Sequence, residues 1–125
     1  MADMSATLLH HGHIRLLKKA SELGEVIVGL TTDEEVKLHK GYWPEIDWEA
    51  RKEILLAIRY VTAVVPAPWL LDDVYLDTHK IDLLVHGGEN FNQVREDRLV
   101  IFPYTSGISS RSLREKACAI LAATR

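Results

Sequence analysis

The sequence predicts an α/β fold, a doubly wound parallel sheet of about five strands with helices on both faces and an unusually short first strand. Three observations predict it. Short β-branched apolar runs alternate with stretches of helical periodicity along the chain, the order that buries a parallel sheet between helices. The 125 residues, 47% hydrophobic and 26% charged, suffice for one domain with a core and not for two. No repeat, low-complexity tract or linker breaks the alternation.

The elements follow in order. Met1 to Thr7 leaves room for only a short first strand, although in this fold that strand is central. Residues before Met1, or another chain, are therefore expected to complete it. Ile14, Leu16, Leu17, Ala20 and Leu23 share helical spacing, with Gly24 placed as the C-cap. Glu25 to Leu30 reads as a buried strand, and Thr31, Thr32 and Asp33 offer N-caps for a helix through about Leu38. Lys40 to Pro44 is a loop. Asp47 caps a helix with Ala50, Ile54, Leu55 and Ile58 on its apolar side. Val61 to Val65 is a strand ended by Pro66 and Pro68, followed by a helix over Leu70 to Thr78. Ile81 to Val85 and Leu99 to Phe102 are two further strands, and Ser109 caps a last helix to about Ala122.

The formal charge of −3 gives no reason to expect nucleic acid or an anionic membrane as a partner. No apolar run reaches membrane-spanning length, and no signal-peptide core stands at the N-terminus. Cys118 is the only cysteine, so no internal disulfide forms and a cytoplasmic location is expected. On the apolar side of the last helix, Cys118 reads as core.

Ligands in such sheets sit beyond the carboxyl ends of the strands. The loops there contain Leu8-Leu9-His10-His11-Gly12-His13, Thr31-Thr32-Asp33, His86-Gly87-Gly88-Glu89-Asn90 and Tyr104 to Ser110. His10 and His13 flank a helix start, where free N–H groups and the helix dipole suit a phosphate chain, and Gly12 lets backbone approach a ligand. Ser109 and Ser110 read either as phosphate contacts or as plain caps. Lys40 is either a site lysine or a surface one, and Arg51 equally an exposed ion pair. Trp43 and Trp48 fit an acceptor pocket or ordinary packing. His11 is a spacer, and a metal site on the three histidines has no acidic or cysteine partner nearby, so none is expected.

Through Leu8 to His13, Val26 to Asp33, Ala50-Arg51, His86-Gly87-Gly88 and Tyr104 to Ser110, the chain resembles the cytidylyltransferase-like family of the HxGH nucleotidyltransferase superfamily. Within it, the resemblance is to the small glycerol-3-phosphate and phosphonate-associated cytidylyltransferases. The resemblance implies a Rossmann-like fold and transfer of CMP from CTP to a small phosphorylated or phosphonate acceptor, with release of pyrophosphate. It implies His10, His13 and Lys40 as catalytic residues. Leu9, Gly12, Arg51, Gly87, Gly88, Tyr104, Thr105, Gly107, Ile108, Ser109, Ser110 and Arg111 are implied to bind nucleotide or phosphate, with Mg²⁺ on the triphosphate and a homodimer as the assembly. The chain departs from the family at Thr7, where an aspartate is expected, and at Gly88-Glu89, where paired acids are. ATP in place of CTP, and a non-catalytic nucleotide-binding module, remain alternatives; retention of both histidines favours the enzyme.

Overall fold

The computed structural model describes residues 1–124. Five strands, β1 (Ala2–Met4), β2 (Ile27–Thr31), β3 (Ala63–Ala67), β4 (Leu84–Gly87) and β5 (Leu99–Phe102), form one parallel sheet in the order β3-β2-β1-β4-β5. The helices are α1 (His11–Ser21), α2 (Asp33–Lys40), α3 (Trp48–Leu56), α4 (Asp73–Thr78) and α5 (Ser110–Ala123), with a 3₁₀ turn at Glu96–Arg98. Strand order reverses between β1 and β4, so a crevice opens beyond their carboxyl ends. No helix is long and apolar enough to cross a membrane among the described residues.

Residues of alternating strand positions feed two apolar layers. Val28, Leu30 and Val64 join Leu17 and Ala20 of α1 and Leu55 of α3, whereas Ala67 and Leu84 join Leu71, Ile81 and Leu76 of α4. β1 is as short as expected and still central. It pairs with β2 from Ala2 to Met4 and with β4 through Ala2 and Val85. The Val85 N–H donates to the Met1 carbonyl at 2.7 Å, and the Met1 ammonium to the Leu83 carbonyl at 2.8 Å.

Several boundaries differ from the sequence reading. α1 begins at His11 because His10 itself caps it, and it closes at Ser21 with Glu22 as C-cap. Gly24, at φ +156°, therefore turns the following link instead of capping the helix. α3 stops at Leu56, and Ile58 packs on the core from the turn behind it. β3 continues through Pro66, which an edge strand tolerates because one side of its ladder is unpaired. α4 starts only at Asp73, capped by Asp72. Ile81 belongs to the turn that closes α4, its N–H bonded to the Leu76 carbonyl at 2.8 Å, so β4 starts at Leu84 and takes in His86 and Gly87. Cys118 is exposed, not core: α5 touches the body only through its first turns, and residues 115–124 are exposed throughout.

Candidate active site

The start of α1 builds the chemistry. As N-cap, His10 accepts the Gly12 N–H on Nδ1 at 3.0 Å, and His13, one turn in, accepts the His10 N–H on its own Nδ1 at 3.1 Å. A neutral imidazole whose Nδ1 accepts carries its proton on Nε2. Each ring therefore offers an Nε2–H donor, and the two rings lie 4.0 Å apart between centroids. Burial, then the neighbouring charges of His10 and Lys40, pulls the His13 pKa down to about 4. Burial and His11 also lower that of His10. At neutral pH both are uncharged donors. Gly12 is required for a reason the sequence did not disclose: a Cβ there would lie 2.8 Å from the His10 ring, displacing the cap.

Both histidines line a cavity of about 620 Å³ at the switch point. Its walls also carry Gly12, Lys40, Gly87, Tyr104, Thr105, Ile108, Ser109, Ser110 and Arg111 from the sequence-derived set. Lys40 ends α2, its Nζ 3.3 Å from the Ser5 hydroxyl and 5.8 Å above the Trp69 ring. At the start of α5, the Ser109 hydroxyl accepts the Ser112 N–H while the Ser112 hydroxyl accepts the Ser109 N–H, both at 2.9 Å. The Ser110 hydroxyl donates to the Leu8 carbonyl at 2.8 Å. Both serine hydroxyls are thus engaged in shaping the helix start. What α5 offers an anion is its dipole and the Ser110 and Arg111 N–H groups, which have no partner among the described residues. Arg111 is exposed and pairs with Glu115 at 3.1 Å.

Other expected residues stand behind the cavity. Arg51 is 2% exposed and does not line it. Its Nη2 bonds Asp33 at 2.6 Å, its Nε bonds the Ile46 carbonyl at 3.1 Å, and Nη1 bonds the Ser5 carbonyl. This corrects both the phosphate-binding and the surface ion-pair expectations, because the guanidinium is buried as an internal tie. Leu9 packs on the core. Gly88, at φ +75°, provides the flat floor beneath Tyr104, whose ring atoms lie as near as 2.0 Å to where a Cβ would stand. Gly107, at φ +82°, turns the chain into α5 without lining the cavity. Trp48 donates to the Leu30 carbonyl at 2.9 Å and Trp43 is exposed, so neither forms the pocket.

Trp69 does form it, stacked on His39 with 4.9 Å between centroids, and the sequence reading passed over both. The same reading missed Asp3 and His86. His86 Nδ1 is 2.8 Å from Asp3 Oδ1 and its Nε2 is 2.7 Å from the Glu89 carbonyl. Asn92, buried, donates to the other Asp3 oxygen at 3.2 Å. Burial pulls the His86 pKa down, but the Asp3 carboxylate and the Glu89 carbonyl outweigh it and the net shift is upward. His86 stood in the quoted His-Gly-Gly turn; its partner, 83 positions away, left no local signal. No group of three His, Cys, Asp or Glu is placed to hold a metal among the described residues.

Residues 6–116 match the family model described as "Cytidylyltransferase-like". The chain is 35% identical over 114 residues to glycerol-3-phosphate cytidylyltransferase of Bacillus subtilis (strain 168), covering 87% of this chain and 88% of that protein. It is 40% identical over 84 residues to ethanolamine-phosphate cytidylyltransferase of Mus musculus, covering 66% of this chain and only 20% of that longer protein. Its fold is shared with the crystal structure of the lipopolysaccharide core biosynthesis protein from Thermoplasma volcanium GSS1, at a TM-score of 0.65 and 20% identity over 84% of this chain and 93% of that one.

Proposed function

Because the chain belongs to the cytidylyltransferase-like family and is a nucleotidyltransferase of the cytidylyltransferase type, we propose that it transfers CMP from CTP to a small phosphorylated or phosphonate alcohol or amine. An acceptor oxygen attacks the α-phosphorus, a new P–O bond forms, and the bond to the β-phosphate oxygen breaks in line to release pyrophosphate. Such a reaction needs positioning and charge neutralisation more than covalent help. Mg²⁺ would accompany CTP and offset part of the triphosphate charge, since no group of three His, Cys, Asp or Glu among the described residues is placed to hold a metal.

One observation carries this reading: the two Nε2–H donors of His10 and His13 share a cavity with Lys40 and the free N–H groups of α5. In this reading the histidines donate to oxygens on the α-phosphorus as negative charge develops there. Lys40 supplies formal charge, and the α5 terminus takes the β- and γ-phosphates. The remaining lining, with Trp69 and the Asp3–His86 pair, is left for the acceptor. The relatives named for glycerol 3-phosphate and ethanolamine phosphate give that acceptor its size class.

The test is calorimetric titration with CTP and with ATP, each with Mg²⁺. A pyrophosphate-release screen with glycerol phosphate, ethanolamine phosphate and an aminoalkyl phosphonate follows. CTP-dependent release with one acceptor is expected. Tight CTP binding without turnover on any acceptor marks a binding module, and binding of neither nucleotide overturns the reading.

A further inference from the structure

Between Lys40 and the Asp47 cap of α3 runs a stretch with no regular secondary structure, and Lys40 stands at its root. Gly41, at φ +82°, caps α2 and starts the loop, and the Lys37 ammonium holds the Gly41 carbonyl at 3.1 Å. At the far end Arg51 holds the Ile46 carbonyl. The middle is gripped from another element. Arg114, on the face of α5 one turn past its N-terminus, forks onto Glu45 with Nε to Oε1 at 2.9 Å and Nη2 to Oε2 at 2.7 Å. Its Nη1 donates to the Tyr42 hydroxyl at 3.0 Å, and its plane lies 4.4 Å over the Tyr42 ring. Nη2 also reaches the Thr7 hydroxyl at 3.2 Å, on the segment that leads to His10.

Every nitrogen of Arg114 is thus occupied, and its partners come from two other segments of the chain. A planar fork of this kind fixes direction as well as distance. Arg114 does not line the cavity. The segments it joins all do work there under the proposed function: the loop follows directly on Lys40 at the end of α2, Thr7 leads to the histidines, and α5 presents its N-terminus. We propose that Arg114 is a positioning residue, clasping loop 41–47 to the first turns of α5 and so setting where Lys40 stands relative to the phosphate-binding helix end. The inference rests on that functional reading for its consequence, though the clasp itself is independent of it.

Two readouts test it on the full chain. Hydrogen–deuterium exchange without nucleotide reads the clasp at the bonded amides that bound the loop, Gly41, Trp48 and Ala50: Arg114→Ala speeds their exchange by about ten-fold and leaves α1 and β2 unchanged. Unchanged exchange at these three amides overturns the proposal. Kinetics read the consequence: Arg114→Ala lowers kcat/KM for CTP by about ten-fold with Lys40 present, and by no more than about two-fold in a Lys40→Ala background. Equal losses in both backgrounds overturn action through Lys40. Glu45→Gln, which weakens the fork at an exposed position, gives the same pattern at smaller amplitude and serves if Arg114→Ala does not fold. A wild-type chain that releases no pyrophosphate with any acceptor defeats the functional reading, and the exchange result still decides the clasp.

Discussion

Asp3 on β1 and His86 on β4 face each other across the centre of the sheet, with the carboxylate Oδ1 2.8 Å from Nδ1. The other ring nitrogen stands 2.7 Å from a backbone carbonyl, that of Glu89. An imidazole placed between two acceptors satisfies both only when both nitrogens carry protons. The site therefore favours the doubly protonated ring, in line with the upward shift of the His86 pKa, the reverse of His10 and His13, whose Nδ1 atoms accept from backbone.

His86→Gln leaves the Asp3 side chain, 9% exposed, with Asn92 as its remaining side-chain partner. The expected cost is about 1–3 kcal/mol of stability, measured by urea unfolding at pH 6. An unchanged midpoint would show that the pair contributes nothing.

The two kinds of histidine predict a stability maximum near neutral pH. The His86 pKa is raised in the fold, so its contribution is fully present below the unfolded value of 6.5 and fades as pH rises through the folded value. The His13 pKa falls from 6.5 to about 4, so the unfolded chain binds the proton more readily and stability drops as pH falls through that window. The acid-side loss is on the order of 2–3 kcal/mol. Thermal melts between pH 4 and 9 are expected to show both limbs, with His13→Ala flattening the acid one and His86→Gln the alkaline one.

His13→Ala also tests catalysis. It removes one Nε2–H donor and frees the His10 N–H, costing roughly 1 kcal/mol of fold stability as a lost cap interaction. The rate loss is expected to be far larger, about 3–4 kcal/mol of transition-state stabilisation, read as kcat/KM for CTP. A rate within a few-fold of wild type would remove His13 from the chemistry.

Gly88→Ala places a Cβ within 2.0 Å of the Tyr104 ring at a residue with φ +75°. The clash and the backbone cost separate in a double-mutant cycle. In the wild-type background the loss is expected to exceed 2 kcal/mol by a margin, and with Tyr104→Ala to shrink to roughly 1 kcal/mol, the cost of a left-handed non-glycine residue. Equal losses in both backgrounds would mean that Tyr104 yields freely.

Arg51→Leu is expected to damage the fold more than nucleotide binding. It leaves Asp33, the Ser5 carbonyl and the Ile46 carbonyl without this partner, at a cost of about 3 kcal/mol or more. Unfolding midpoint and the calorimetric Kd for CTP, measured on the same preparation, separate the two effects.

The sequence carried what is local. The alternation of short apolar runs with helical periods, the Thr32, Asp47 and Ser109 caps and the β5 boundary were all legible, because each depends on residues close together in the chain. The place of His10 and His13 at a helix start was legible for the same reason, since their hydrogen bonds close within one helical turn. Element limits failed where distant packing decides them, as at β4, which starts only after the turn that closes α4.

Partners far apart in the chain were settled only by tertiary structure. Arg51 reads from sequence as a site or surface arginine, and the fold buries it against residues up to 46 positions away. Asp3 meets His86, Trp69 meets Lys40 and Arg114 meets Glu45 because the parallel crossovers bring these segments to one end of the sheet. By itself the sequence determined the fold class, the caps of α2, α3 and α5 and the place of His10 and His13 at a helix start, all set by short-range periodicity and capping. The pKa shifts of His10, His13 and His86, the burial of Arg51 and the composition of the cavity wall were decided by the fold, because desolvation and long-range charge pairing exist only once the chain is packed.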